Sequence, residues 1–168
     1  MLASTGRVFS PREGQVALNL NDILGHHRFT RDLSERHIAT LASMAAEVAF
    51  AEDELVLLDG QCSKNLYLVL EGSLSVELHT QRFTVAIQAL SAGQAFGWSS
   101  LLDDQDTLFQ VRAREPTTAL RLDGPTLNQA CRADPSLGYE ILHRALKLVA
   151  GRVQATEEKF AEMCGVRV

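Results

Sequence analysis

The sequence is poor in cysteine and aromatic residues and has no long hydrophobic run. Its three cysteines, Cys62, Cys131 and Cys164, are scattered with no C-x-x-C spacing, which argues against a disulfide scaffold and a zinc site. No apolar run approaches the roughly 20 residues that cross a bilayer. The net charge of −5 argues against a nucleic-acid or anionic-membrane binder. We therefore expect a cytoplasmic protein with reduced thiols that binds neither nucleic acid directly nor membrane.

Length and composition indicate one soluble globular domain. The chain has 168 residues, of which 46% are hydrophobic and 22% are charged, values ordinary for a domain with a single core. The first 21 residues show no clear period and contain Gly6, Pro11 and Gly14. Residues 1–21 are therefore predicted to form an irregular lead-in.

A helical pattern begins at Leu33. Apolar residues then recur at three- and four-residue steps, at Ile38, Leu41, Ala45 and Val48. Ser34 lies where a helix N-cap belongs, and Glu35 follows in the favourable first turn. This spacing predicts a helix that continues through these four positions.

After Phe50 the hydrophobic period becomes two, and turn residues interrupt it. The segments with this pattern are residues 55–58, 66–70, 74–78, 83–87, 110–114 and 117–122. Short strands about ten residues apart indicate a closed sandwich or barrel. The chain is therefore predicted to be mostly β, with flanking helices.

The last predicted helix carries a heptad seam. Its members are Tyr139, Leu142, Leu146, Val149, Val153, Thr156, Phe160 and Met163. A second apolar stripe is confined to the first half of the helix, at Leu137, Ile141, Ala145 and Leu148. Arg152 and other polar residues are assigned to the remaining, solvated faces of the later half. The seam predicts parallel homodimerisation, and the alternative is that the helix folds back on its own barrel.

A glycine-containing turn follows the fourth predicted strand. We call residues 95–102 the cassette; they read Ala-Phe-Gly-Trp-Ser-Ser-Leu-Leu. Gly97 permits a sharp turn, and Ser99 or Ser100 can cap the helical turn after it. The unpaired N–H groups at such a start favour an anion, so the cassette is a candidate ligand site.

The order of these features resembles the cyclic nucleotide-binding domain superfamily, in particular the sensor domain of catabolite activator and Fnr-type regulators. The resemblance covers residues 24–163 and rests on Gly60, Tyr67 with Gly72, Gly93, the Phe96-Gly97 pair, Val111-Arg112-Ala113 and the run at 152–159. It implies a double-stranded β-helix or jelly-roll barrel with an N-terminal helix over residues 22–134, and a dimerisation helix over residues 135–164. It also implies a bacterial-type, single-domain regulator without a helix-turn-helix.

The resemblance places different residues where binding members of the family hold the ligand. Trp98 occupies the position of the glutamate that binds the ribose, and Thr107 that of the arginine that pairs with the cyclic phosphate. Arg112 matches a different family position. Asp103, Asp104 and Asp106 lie nearby and would repel a phosphate. Weak or no binding of cyclic AMP is therefore predicted, with a neutral or weakly anionic ligand suiting the site better.

The ligand, a cyclic nucleotide or another small molecule, is predicted to contact one set of residues. These are Gly97, Trp98, Ser99, Ser100, Thr107 and Thr156, with Leu90, Phe96 and Ala113 as apolar neighbours. Two positions keep an alternative interpretation. Trp98 can be a core or lid aromatic residue, and Thr156 can be an ordinary member of the seam.

The sequence lacks the residues that a catalytic site or a metal site would need. The metal-dependent enzymes with cupin barrels use clustered histidines, whereas His79 is the one histidine in a predicted strand. The Gly97-Trp98-Ser99 run lacks the second glycine of a nucleophile elbow. A non-enzymatic regulatory module with no metal is therefore predicted. The alternative is a ligand-free dimerisation or adaptor protein with a protein partner.

Overall fold

The structure, a computed structural model, describes residues 7–8, 19–102 and 106–165. The described strands are β1 Arg7–Val8, β2 Ala45–Phe50, β3 Leu55–Leu57, β4 Asn65–Glu71, β5 Ser73–His79, β6 Thr84–Ser91, β7 Ala95–Phe96, β8 Phe109–Ala113 and β9 Thr117–Asp123. The helices are α1 Leu20–His26, α2 Glu35–Met44, α3 Gly124–Ala133 and α4 Pro135–Met163, with a 3₁₀ turn at Trp98–Leu101.

The strands form two antiparallel sheets that pack as a jelly roll. The first has the order β1-β2-β9-β4-β7 and the second the order β3-β8-β5-β6. Alternate side chains from both sheets fill one core, which includes Val48, Tyr67, Val76 and Val111. The predicted mostly-β jelly roll with flanking helices is confirmed, because each predicted strand segment falls on an observed strand within a few residues.

The predicted helix after Leu33 is correct at its start and wrong at its end. Ser34 is the N-cap, and its side chain accepts a hydrogen bond from the His37 N–H. The helix stops at Met44, and Ala45 and Val48 belong to β2 instead. Antiparallel pairing of β2 with β9 makes this segment a strand. In the paired strand the Val48 side chain lies on the buried inner face, although its spacing in the sequence also fits a helix.

The N-terminal region is partly described. The predicted lead-in over residues 1–21 contains β1, which pairs with β2, and the first two residues of α1. Residues 1–6 and 9–18 lie outside the described part of the chain. The structure therefore supplies two ordered elements to a region in which the sequence showed no period.

Helix α4 lies against its own domain through the second apolar stripe. Leu137, Ile141 and Ala145 are buried in a core cluster with the α1 and α2 side chains Leu24 and Leu41. The seam faces outward, and Tyr139, Leu146 and Phe160 are 68%, 66% and 69% exposed. The two stripes that the sequence predicts thus separate: one packs on the domain, and the other leaves most of its large apolar side chains exposed in the described chain.

No helix in the described residues has both the length and the apolar character needed to cross a membrane. The described residues also gather no group of three histidine, cysteine or acidic side chains that could hold a metal ion.

Candidate functional site

The cassette makes a tight turn that only glycine fits. Gly97 links β7 to the 3₁₀ turn with φ +82°, a left-handed conformation that costs an L-residue free energy. A Cβ atom at this position would lie 2.3 Å from the Asn65 carbonyl oxygen. The turn therefore sits directly on β4, and its backbone has no room to move inward.

The two cassette serines do not cap the turn, which corrects the sequence prediction. Gly97 occupies the N-cap position without a side-chain cap bond. Ser99 Oγ accepts a hydrogen bond from the Ser63 N–H at 3.2 Å, and Ser100 Oγ donates to the Gly97 carbonyl at 2.7 Å. Both serines are buried: the Ser99 hydroxyl holds the cassette onto the domain at Ser63, and the Ser100 hydroxyl closes the turn within the cassette.

A cavity of about 490 Å³ lies beside the cassette, between β6, α4 and the α1–α2 loop. The α4 side of the cavity consists of Arg144 and the residues three, four, seven and eight positions after it, which share one helix face. The lining residues are Arg28, Phe29, Arg31, Asp32, Gln88, Leu90, Gly93, Gln94, Ala95, Trp98, Arg144, Lys147, Leu148, Gly151 and Arg152. The volume falls in the range typical of small-molecule sites.

Trp98 and Leu90 are the predicted site residues that line this cavity. The half-buried indole of Trp98 leaves the cavity open beside it. Leu90 is buried and contributes an apolar wall. Trp98 therefore belongs both to the cassette and to the wall of this cavity.

The other predicted ligand residues are used elsewhere in the described structure. Thr107 forms an isolated bridge with Gln61, and its hydroxyl accepts from the Phe109 N–H at 3.1 Å. Thr156 Oγ1 donates to the Arg152 carbonyl at 2.8 Å. The predicted apolar neighbours Phe96 and Ala113 are buried in the barrel core, where Phe96 stacks on Tyr67. The structure does not gather these residues around the cavity.

The cavity is basic, whereas the aspartates that follow the cassette lead us to expect a neutral or weakly anionic ligand. Its charged lining residues are Arg28, Arg31, Asp32, Arg144, Lys147 and Arg152. Asp103 and Asp104 lie outside the described residues, and Asp106 is exposed. The basic residues come from the α1–α2 loop and from two turns of α4, so only the tertiary fold brings them together.

Arg152 is a partly buried basic residue of the cavity. Its Nε donates to Gln88 Oε1 at 2.9 Å, and its guanidinium carbon lies 5.6 Å from the centre of the Phe109 ring. Burial lowers the pKa of Arg152 to about 10, and no carboxylate of the described residues lies within ion-pair distance. The sequence placed Arg152 on a solvated face; packing of α4 against β6 and β8 overturns that expectation.

Arg144 joins α4 to the α1–α2 loop. Its side chain pairs with Glu140 one turn earlier and donates to the carbonyl oxygens of Phe29 at 2.8 Å and Arg31 at 3.2 Å. These bonds hold the loop over the cavity. The Arg144 side chain thus has a structural role. Arg28 and Lys147, in contrast, are exposed, and their side chains form no hydrogen bond or ion pair with the described residues.

His27 connects the same α1–α2 loop to β4. Its Nε2 lies 3.1 Å from the Val69 carbonyl oxygen, and its Nδ1 accepts from the Phe29 N–H at 3.1 Å. A neutral ring with its proton on Nε2 satisfies both contacts. Burial lowers the pKa of His27, against the opposing effect of the Val69 bond, so the loop is built for a neutral imidazole.

Arg112 is held away from the cavity. Its Nε lies 3.5 Å from Glu77 Oε2, and its Nη1 donates to the Asp53 carbonyl at 2.8 Å. Burial opposes ionisation of Glu77, but bonds from Ser75 and Gln110 and two guanidinium groups lower its pKa overall. This ion cluster occupies Arg112 and leaves it outside the cavity lining.

The seam of α4 also reaches the cassette. Tyr139 and Leu142 of the seam and Leu101 of the 3₁₀ turn line a shared groove of about 370 Å³, together with residues of α3. A partner that covers the seam would therefore touch the cassette as well. Helix α4 contacts the basic cavity with one face and this groove with another.

Comparison with known families now identifies the class of protein. The family model described as the cyclic nucleotide-binding domain matches residues 47–134. The chain belongs to this family, whose fold is regulatory and non-catalytic. No curated protein matches the chain.

Solved structures with the same fold include a cyclic nucleotide-binding domain and parts of two regulators. A cyclic nucleotide-binding domain from Methylobacillus flagellatus is 23% identical, with a TM-score of 0.71 over 86% of this chain and 82% of that one. The N-terminal domain of a transcriptional regulator from Streptomyces coelicolor is 20% identical, with a TM-score of 0.62 over 83% and 95%. The regulatory subunit of a cAMP-independent protein kinase A from Trypanosoma brucei is 16% identical, with a TM-score of 0.66 over 86% and 50%. These likenesses show the fold.

Proposed function

We propose that the chain is a non-enzymatic, cytoplasmic sensor module that acts as a homodimer through α4 and binds cyclic AMP weakly or not at all. One observation carries this proposal: α4 lines the basic cavity with one face and exposes an apolar seam on another. A ligand that changes the position of α4 would therefore change the surface available to a second copy. Such coupling needs a difference in ligand affinity between two arrangements of the helix.

The seam supports a second copy as the partner. It has an a/d spacing sustained over more than three heptads, which is typical of helix pairs. Large apolar side chains on it, including Leu146 and Phe160, are more than half exposed. Pairing of two seams would remove this surface from water, and burial of each leucine-sized side chain contributes about 1.5–3 kcal/mol.

Charge placed in the seam tests the dimer. The double variant Leu146→Glu/Val153→Glu should give a folded monomer, because carboxylates cannot be buried unpaired between helices. Analytical ultracentrifugation reports mass, and circular dichroism reports folding. The matched control Ser136→Glu/Gln154→Glu alters exposed α4 residues outside the seam and should leave the dimer intact. A native protein that sediments as a monomer at high concentration overturns the proposal.

Weak binding of cyclic AMP follows from the cassette. Trp98 brings no carboxylate and Thr107 no charge to the positions that the family uses for the ribose and phosphate, and the Thr107 hydroxyl already accepts a backbone bond. Loss of two charge-assisted anchors should cost more than tenfold in affinity. The same fold serves a Trypanosoma brucei kinase regulatory subunit described as cAMP-independent, which supports a regulatory use without this ligand.

Calorimetry tests this part directly. The native protein should show no submicromolar binding of cyclic AMP, and the double variant Trp98→Glu/Thr107→Arg should gain affinity. The single variant Trp98→Phe is the control, since it changes the same position without adding a carboxylate. Submicromolar binding by the native protein contradicts the proposal.

A ligand-free adaptor is the second candidate. It is favoured by the cassette serines, which are buried and hydrogen-bonded within the domain. A thermal-shift panel separates the two, because a ligand that binds only the folded state raises the melting temperature. A panel without any shift, in a protein that remains dimeric, supports the adaptor.

A further inference from the structure

We propose that the cavity between α4, β6 and the α1–α2 loop binds a small multivalent anion, held by basic residues of the loop and of α4. This inference names the ligand chemistry of the proposed sensor and rests on that function only for its regulatory meaning. The phosphate and carboxylate groups of small molecules share the required chemistry. The cassette serines do not line this cavity, and their hydroxyl groups already form hydrogen bonds to Ser63 and Gly97.

The charge of the lining supports an anion. Of the charged side chains around the cavity, five are basic and one is acidic, in a chain whose net charge is −5. Arg31 lies 3.9 Å from Asp32, and Arg144 is paired with Glu140. This leaves Arg28, Lys147 and Arg152 with positive charges that no carboxylate of the described residues neutralises at ion-pair distance. Focused positive charge in a cleft attracts multivalent anions.

Arg152 supports the site by its environment. A guanidinium group has five N–H donors, and the described contacts of Arg152 use its Nε on Gln88. Its partial burial lowers its pKa to about 10, and its contacts with Gln88 and the Phe109 ring bring no negative charge to balance the desolvated guanidinium. An anion in the cavity would supply that partner and would regain part of the lost solvation.

The size and the walls of the cavity suit a small organic anion. Its volume of about 490 Å³ is large enough for a ligand well beyond a single phosphate. Leu90, Leu148 and Trp98 provide apolar walls next to the charged ones. Apolar walls reduce the contact of a bound anion with water on those sides, and electrostatic attraction is stronger where less water surrounds the charges.

Trp98 makes the test specific, because it is the single tryptophan of the chain and lines the cavity. Inorganic pyrophosphate and citrate are titrated separately at constant ionic strength, with tryptophan fluorescence and melting temperature as readouts. At least one probe should give a saturable fluorescence change and a rise in melting temperature. Saturation by pyrophosphate alone assigns phosphate chemistry, and saturation by citrate alone assigns carboxylate chemistry. A response to both retains the shared chemistry.

Two exposed residues allow the site to be removed without disturbing the fold. The variant Arg28→Gln/Lys147→Gln should raise the dissociation constant about tenfold or more. The matched control Arg82→Gln/Lys64→Gln removes the same charges from exposed positions outside the cavity lining and should bind like the native protein. No saturable response to either probe overturns the proposal, and so does an equal affinity in the site variant.

The outcome is distinguishable from that of the proposed function. Anion binding is read from Trp98, whereas dimerisation is read from sedimentation. A protein that dimerises and does not bind either probe loses the anion site and keeps the seam. A monomeric protein that binds a probe loses the dimer and keeps the anion site.

Discussion

The cassette and α4 use their polar groups in opposite ways. In the cassette, Ser99 and Ser100 are buried, and their hydroxyl groups form hydrogen bonds to Ser63 and to Gly97 of the same domain. On α4, Lys147 is exposed and Arg152 is desolvated, and neither has a carboxylate partner within the described residues. A polar group already satisfied inside a domain contributes to stability, while an unsatisfied one is available to a ligand. The comparison shifts the candidate site from the family cassette toward the helix.

Substitution of the cassette glycine should have the largest effect. Gly97→Ala forces a Cβ atom within 2.3 Å of the Asn65 carbonyl at φ +82°, and we expect a loss of about 3–5 kcal/mol from overpacking and backbone strain. Urea unfolding at a fixed protein concentration measures it. The control Gly60→Ala shares a positive φ but meets no atom within 4 Å, and should lose about 1–2 kcal/mol. Equal losses would show that the close packing of the cassette is unimportant.

Loss of a cassette hydroxyl should have the next effect. Ser99→Ala removes the acceptor of the buried Ser63 N–H, and an unsatisfied buried donor costs about 1–3 kcal/mol. The exposed Ser43→Ala should change the free energy of unfolding by less than about 0.5 kcal/mol. Unfolding of Ser99→Ala at the native urea midpoint would mean that the cassette hydroxyl is free rather than structural.

Acidification should lower the stability of the folded protein through His27, which holds the α1–α2 loop beside the cavity. The folded state lowers the pKa of His27 from its ordinary value of 6.5, so the unfolded chain binds the proton more readily. The contribution of neutral His27 to the free energy of unfolding is therefore complete above pH 6.5 and decreases as the pH falls from 6.5 through the lower pKa of the folded state. Each kcal/mol lost lowers the melting temperature by about 2–4 °C in a chain of this size.

The variant His27→Gln tests the origin of that slope. Glutamine cannot be protonated, so the melting temperature should change less with pH below 6.5 than in the native protein. His143→Gln, at an exposed position of α4, should retain the native slope. A native slope in His27→Gln would assign the effect to other groups.

Removal of an unpaired helix charge should have the smallest effect on stability. Lys147→Gln should change the free energy of unfolding by less than about 0.5 kcal/mol, since Lys147 is exposed and makes no ion pair with the described residues. Arg144→Gln, one turn earlier on the same face, should cost about 1.5–3 kcal/mol because its bonds to the Phe29 and Arg31 carbonyls are lost. Similar losses of stability in the two variants would show that Arg144 has no larger structural role than Lys147.

The sequence by itself determined the barrel, the N-cap at Ser34 and the two stripes of α4. These features depend on periodicity and local hydrogen bonding, which neighbouring residues decide. It failed at Ala45 and Val48, where helical spacing coincided with strand positions. Pairing with β9 decided that segment, and partners distant in sequence leave no local signal.

The tertiary structure decided where charge and free surface lie. Arg28 and Arg152 are far apart in the sequence and line the same cavity, because packing of α4 on β6 brings its basic face over the α1–α2 loop. The sequence did contain one usable signal, the helical spacing of Arg144, Lys147 and Gly151 on a face next to the seam. Only packing shows that this face borders a cavity while Ser99 and Ser100 turn inward. Burial depends on which elements meet, and that is a property of the whole fold.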